Sequence, residues 1–98
     1  MYICTYTRAV AFQWDPKKAD TNTKKHGVRF SDVVAVFEDP RAITIDDPHP
    51  AEQRLVTIGL DILARVVVVC WTTRGDDIRI FSAREATRRE RAMYQQGE

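Results

Sequence analysis

The chain has 98 residues, which allows one small domain built round one modest core. Hydrophobic residues make up 44% and charged residues 30%, an ordinary globular balance that argues against a disordered chain, and no apolar stretch approaches the ~20 residues that span a bilayer. The formal net charge is +1, so nucleic-acid binding cannot rest on an overall positive excess and requires local segregation of charge.

Cys4 and Cys70 are the only cysteines. They are too far apart in sequence to suggest a zinc ligand set, and two unclustered thiols point to a reducing compartment. The N-terminus lacks the apolar core of a signal peptide. The expectation is a cytoplasmic protein that is not membrane-bound, with no cofactor and no metal.

In chain order, residues 1–10 show no helical period and are either an extra edge strand or a loose extension. We read residues 1–11 as a loose N-terminal extension, since termini fray unless tied down, ahead of a single domain of residues 12–98. Ala11-Phe12-Gln13-Trp14 alternates as a short strand. Asp15-Pro16 then starts a helix, Asp15 as its N-cap and Pro16 at the first helical position, and His26-Gly27 ends it. That helix is polar nearly all round, which predicts a surface position.

Ser31 is the expected N-cap of a second helix, with Phe30 placed to staple it and Val33, Val34, Val36 and Phe37 forming its apolar face. Glu38-Asp39-Pro40 stops it. Strands follow at Ala42–Ile45, Arg54–Leu60, Arg65–Thr73 and Ile78–Ser82, the last two joined by a tight turn at Arg74-Gly75-Asp76. Val66–Val69 is apolar on both faces, as in a central strand, and Cys70 reads as a small buried hydrophobe. A last helix starts at either Ser82 or Thr87, because both satisfy the capping-box pattern; we favour Thr87, which leaves Arg84 on the strand–helix linker. The resulting fold class is α+β: an antiparallel sheet of about four strands, two N-terminal helices and one C-terminal helix, with the helices on one face.

Six arginines fall between Arg74 and Arg91, against Asp76, Asp77, Glu85 and Glu90. Arg74, Arg79 and Arg84 lie on the hairpin turn, the returning strand and that strand's exit. Guanidinium groups grip phosphate bidentately and stabilise charge in a transition state, but do not serve as ordinary bases. The plainer alternative is a solvated face laced by salt bridges, since Arg88 and Arg91 alternate with Glu85 and Glu90 at helical spacing. Lys24, Lys25 and His26 either complement the helix dipole or supply a proton shuttle in His26. His49, near Glu52 and Arg54, reads as a loop residue. Trp71, at the mouth of the hairpin, and Tyr94 are either packing residues or stacking platforms.

Several motifs recur in series: Phe12-x-Trp14-Asp15-x-x-Lys18, Lys25-His26-Gly27-Val28-x-Phe30 and Val36-Phe37-x-Asp39-Pro40. They are followed by Arg54-x-x-x-Ile58-Gly59, Val69-x-Trp71-Thr72 and Ile78-Arg79-Ile80-x-Ser82-Ala83-Arg84-x-Ala86-Thr87-x-x-Glu90-x-x-x-Tyr94. In this order and spacing the chain resembles the BrnT toxins of bacterial type II toxin–antitoxin systems, from Phe12 to about Tyr94.

The resemblance implies a RelE-like ribonuclease fold and a metal-independent endoribonuclease that arrests translation. It implies neutralisation by a BrnA-type ribbon-helix-helix antitoxin in a complex of two toxins and two antitoxins, with operator DNA bound only through the antitoxin. Arg74, Arg84, Lys25 and His26 are its catalytic candidates, and Arg79, Arg88, Trp71 and Tyr94 its RNA-binding candidates. His26 is the first choice of general base and a lysine of depressed pKa the second. The rival reading is a non-catalytic or degenerate module that engages only an antitoxin or nucleic acid.

Overall fold

The central apolar run becomes strand β5, Val66–Arg74, hydrogen-bonded on both sides within a six-stranded sheet. The computed structural model describes residues 3–7, 10–47 and 53–96. The strands are β1 (Ile3–Thr7), β2 (Val10–Trp14), β3 (Ile43–Asp47), β4 (Arg54–Leu60), β5 and β6 (Asp77–Glu85), in the order β1-β2-β6-β5-β4-β3. The helices are α1 (Pro16–His26), α2 (Phe30–Val33) with a 3-10 turn at Val34–Glu38, and α3 (Arg88–Gln96).

Strands β3 to β6 form the expected antiparallel meander. The sheet is wider than four strands because β2 adds to the outer edge of β6 in parallel and β1 pairs antiparallel with β2. Residues 3–7, expected to be loose, are thus an edge strand in register with Val10–Trp14. Their weak sequence pattern fits an edge, where propensity depends on the neighbouring strand.

Helix α1 has the predicted boundaries. Asp15 accepts the Lys17 backbone N–H at 2.9 Å, Pro16 opens the helix, and Gly27 closes it in the left-handed conformation at φ 69°. The second helix differs from expectation. It begins at Phe30, Arg29 is its N-cap with no side-chain bond, and Ser31 lies inside it. After one α-turn the backbone tightens to 3-10, which suits a run of β-branched valines that must reach the sheet within a few residues.

The helices do not share one face of the sheet, and this corrects the expectation. Val67 and Val69 pack with Phe12, Trp14, Phe30, Val33 and Val36 beneath α1 and α2. Val66 and Val68, which alternate with them, pack with Ile58, Ala86 and Tyr94 beneath α3. The first core is the larger and holds an aromatic chain, with Phe12 against Phe37 and Phe37 edge-on to Trp71 at 5.2 Å. Burying each such side chain contributes about 1.5–3 kcal/mol, so most of the fold's stability comes from the α1–α2 side. Gly59 permits that packing where β4 passes under the 3-10 turn: a Cβ there would meet Val36 Cγ1 at 3.0 Å.

Candidate functional site

Helix α1 lies along the part of β6 that β2 leaves uncovered, since the parallel pairing runs only from Phe12↔Ile78 to Gln13↔Arg79. Asn22, the buried residue of this otherwise polar helix, completes that open edge. Its side-chain N–H donates to the Ala83 carbonyl at 2.7 Å and to the Val28 carbonyl at 3.0 Å, while its oxygen accepts the Ala83 N–H at 3.1 Å. The amide does what a neighbouring strand would do. Sequence reasoning missed it, because one buried polar residue leaves no hydrophobic period to read.

Between α1 and this edge opens a cleft of about 330 Å³, lined by Lys17, Lys18, Thr21, Asn22, Lys25, His26, Phe81 and Ser82. Among these lining residues three are lysines and none is acidic. Lys25 and His26 come from the last turn of α1, so both candidate residues meet here. Lys17 and Lys18, which the sequence did not single out as site residues, come from its first turn.

Phe81 sits at a β-bulge. In the β5–β6 register Trp71 pairs with Ile80 and Cys70 with Ser82, so Phe81 is the extra residue. Around its ring gather Arg54 at 4.6 Å, Arg79 at 5.7 Å and Lys18 at 5.8 Å from the centroid. The bulge also changes the parity of the strand. Ile80 and Ala83, three residues apart, both face the α1–α2 core. Arg79 and Arg84, five apart, therefore lie on the same face, the α3 side, where strict alternation would have separated them. Alternation along β5 brings Arg74 to that side as well, opposite Asp77.

The three strand arginines thus share a face without converging. Arg74 is at the turn and Arg84 at the far end of the hairpin, opposite Val68, which at ~3.3 Å per residue puts them roughly 20 Å apart. Arg84 is held by Glu90 in a bidentate pair at 2.7 and 2.9 Å. That hydrogen bond raises the Arg84 pKa and, acting first on its partner, lowers the Glu90 carboxyl to about 2. Glu90 also accepts the Thr87 N–H at 2.8 Å, and Thr87 Oγ1 accepts the Glu90 N–H at 3.2 Å, so the capping box forms at Thr87 as favoured from sequence. Arg88, the first residue of α3, is exposed.

Trp71 and Tyr94 are bound to the protein. The Trp71 indole N–H donates to Thr57 Oγ1 at 2.8 Å on the α1–α2 side, and Thr57 also bonds Thr44 at 2.8 Å. Tyr94 is 6% exposed and donates to Asp39 Oδ2 at 2.7 Å. Cys70 is half-buried on the α3 side, less enclosed than its apolar neighbours suggested. His49 and Glu52 lie outside the described residues. Among the described residues no three His, Cys, Asp or Glu side chains cluster as a metal site, and no helix is long and apolar enough to cross a membrane.

This is a small α+β protein whose cleft and adjoining sheet face gather lysine, histidine and arginine side chains. Residues 14–90 match the family described as the ribonuclease toxin, BrnT, of type II toxin–antitoxin systems. The match spans most of the chain, and the chain belongs to this family. The crystal structure of the Brucella abortus ribonuclease toxin, BrnT, superposes with a TM-score of 0.60 and 28% sequence identity, over 76% of this chain and 94% of that one. No curated protein is a significant match. As a member of a type II toxin–antitoxin family, the chain has an antitoxin as its partner class.

Proposed function

We propose that the chain is a metal-independent endoribonuclease and that the α1–β6 cleft is where it cuts. The observation that carries this reading is the meeting of Lys25 and His26 with Lys17, Lys18, Phe81 and Ser82 in one cleft without an acidic lining residue. A scissile phosphodiester in the cleft would place its non-bridging oxygens among the lysines. His26 removes the proton from the ribose 2′-hydroxyl, whose oxygen attacks phosphorus while the bond to the 5′-oxygen breaks. The leaving oxygen takes a proton from a cleft lysine or water, giving a 2′,3′-cyclic phosphate and a 5′-hydroxyl end. Lys25 stabilises the charge that develops on the phosphorane. Arg79, and Arg74 and Arg88 at the margins, hold the flanking strand, and loss of translatable RNA stops protein synthesis.

The inhibiting partner in this reading is a BrnA-type ribbon-helix-helix antitoxin in a 2:2 complex, which covers the basic face and carries the complex to operator DNA. The test is direct. Purified protein should cleave RNA in the presence of a chelator, leave cyclic-phosphate ends and stop when antitoxin is added. His26→Ala should lower kcat by about 10²–10⁴. Intact RNA, or full activity in His26→Ala, removes the proposal. The rival module, which binds without cutting, draws support from Arg84, already committed to Glu90; RNA binding without any cleavage would establish it.

A further inference from the structure

The cleft opens onto a second arrangement that the proposed cleavage step does not use. Across the α3-side face of the sheet, Thr72 of β5 has Arg79 beside it on β6, and Arg54 of β4 flanks it on the other side, next to the Leu55↔Trp71 pair. The bulge turns Phe81 into this row, so that one aromatic ring collects two guanidinium groups and the Lys18 ammonium within 6 Å. Phe81 also lines the cleft, so the ring and the cleft are contiguous. Helix α3 covers the other end of this face, over Ile58 and Val68, and leaves Arg54 to the row beyond it.

Two guanidinium groups and one ammonium lie round one ring, with Asp47 opposite Arg54 in the β3–β4 register, and they offer charged donors to a phosphate lying beside that ring. A planar guanidinium seated on an aromatic ring also offers its outer face for stacking, which an ammonium does not. Planar stacking beside a cationic track fits an unpaired nucleotide. A base inside a duplex has both of its faces covered.

We propose that Arg54, Phe81 and Arg79 form a nucleotide subsite that stacks an unpaired base next to the cleft and so selects single-stranded RNA. The proposal rests on the cleft being the RNA site, and it adds the strandedness of the substrate and the residues that read it. Arg54 supplies the stacking plane and a phosphate contact, Phe81 orients the guanidinium, and Arg79 neutralises the flanking phosphate.

Binding of a non-cleavable probe separates this subsite from catalysis. The probe is a fluorescent single-stranded oligoribonucleotide of about 12 nucleotides, 2′-O-methylated throughout, compared with the same strand in a duplex. The intact protein should prefer the single strand by at least about tenfold. Phe81→Leu, which keeps apolar bulk, and Arg54→Lys, which keeps charge, should each weaken single-strand binding by about 5- to 100-fold. Arg54→Gln should in addition reduce the salt slope by about 0.7, the share of one phosphate, whereas Arg54→Lys leaves that slope unchanged.

Thermal unfolding of each variant confirms that it is folded. Folded Phe81→Leu and Arg54→Lys proteins that bind as tightly as the original would overturn the proposal, as would equal affinity for duplex. The expected binding pattern in a protein that never cuts RNA keeps the subsite and removes the nuclease reading. Cleavage with binding unchanged in both variants removes the subsite and leaves the nuclease reading standing.

Discussion

Tyr94 and Asp39, 55 residues apart, are joined by a 2.7 Å hydrogen bond that ties α3 to the end of the 3-10 turn. The helix packs on one face of the sheet and the turn on the other, so the contact closes the structure round the Leu60 end of β4, which extends past its pairing with β3. Asp39 also accepts the backbone N–H groups of Leu60 at 3.0 Å and Arg41 at 2.9 Å. Burial pushes its carboxyl up, and the bonds from Tyr94, Leu60 and Arg41 together outweigh burial and hold it below the usual carboxylate range. Tyr94→Phe should therefore destabilise the fold by about 1.5–3 kcal/mol, the worth of one bond to a charged acceptor. The denaturation midpoint should fall while the slope stays constant, and RNA affinity measured on folded protein should not change.

Tyr94 shows where the sequence was legible and where it was not. Helix ends were readable because their chemistry is local: Asp15, Pro16, Gly27 and the Thr87–Glu90 box act within a few residues. A tyrosine on a polar helix has no local sign of its partner, so the sequence leaves packing, the usual role, and stacking both open, and the Asp39 bond is visible only in the fold. The same holds for β6. Ile78-Arg79-Ile80 reads as simple alternation, and only the pairing with Cys70 and Trp71 reveals the bulge that moves Arg84 across the sheet. The cleft was half visible, in Lys25 and His26. Its remaining wall depends on where α1 lies against β6, and Asn22 decides that through bonds to a residue 61 positions away.

Asn22→Ala should be the most destabilising substitution on α1. It leaves the Ala83 N–H and carbonyl and the Val28 carbonyl without this partner in a buried setting, at a cost of about 3 kcal/mol or more. Because Asn22 also lines the cleft, hydrogen exchange at Ala83 should accelerate along with any loss of activity. Unchanged protection at Ala83 would show that α1 is held there by other contacts.

The Glu90 pair predicts a pH response of definite sign. Its carboxyl is depressed to about 2 from an ordinary 4.5, chiefly by the Arg84 hydrogen bond. The pair's contribution is complete above the unfolded-state value and is lost as pH falls from about 4.5 towards 2. The Arg84 side chain is 41% exposed, so solvent screening holds the effect to about 1 kcal/mol. Glu90→Gln should be less stable than the original at pH 7, and the gap should close on acidification through that window. A gap that stays constant to low pH would mean that the capping bond to Thr87, not the ion pair, carries the interaction.

Arg74 and Arg84 give the sharpest test of how the basic face works. They share a side of the sheet but stand at opposite ends of the hairpin, too far apart to grip one phosphate. If both contact RNA, they touch different nucleotides, and their effects on binding should add within about 0.5 kcal/mol in the double variant. Arg74→Ala should weaken binding with little change in stability, because its side chain is exposed at the turn. Arg84→Ala should also destabilise the start of α3 by leaving Glu90 without its bidentate partner. Loss of toxicity in Arg84→Ala alone therefore does not establish a catalytic role. Binding and unfolding measured together on Arg84→Ala and Glu90→Gln separate the two: a phosphate contact is lost in the first variant only, while the structural loss is common to both.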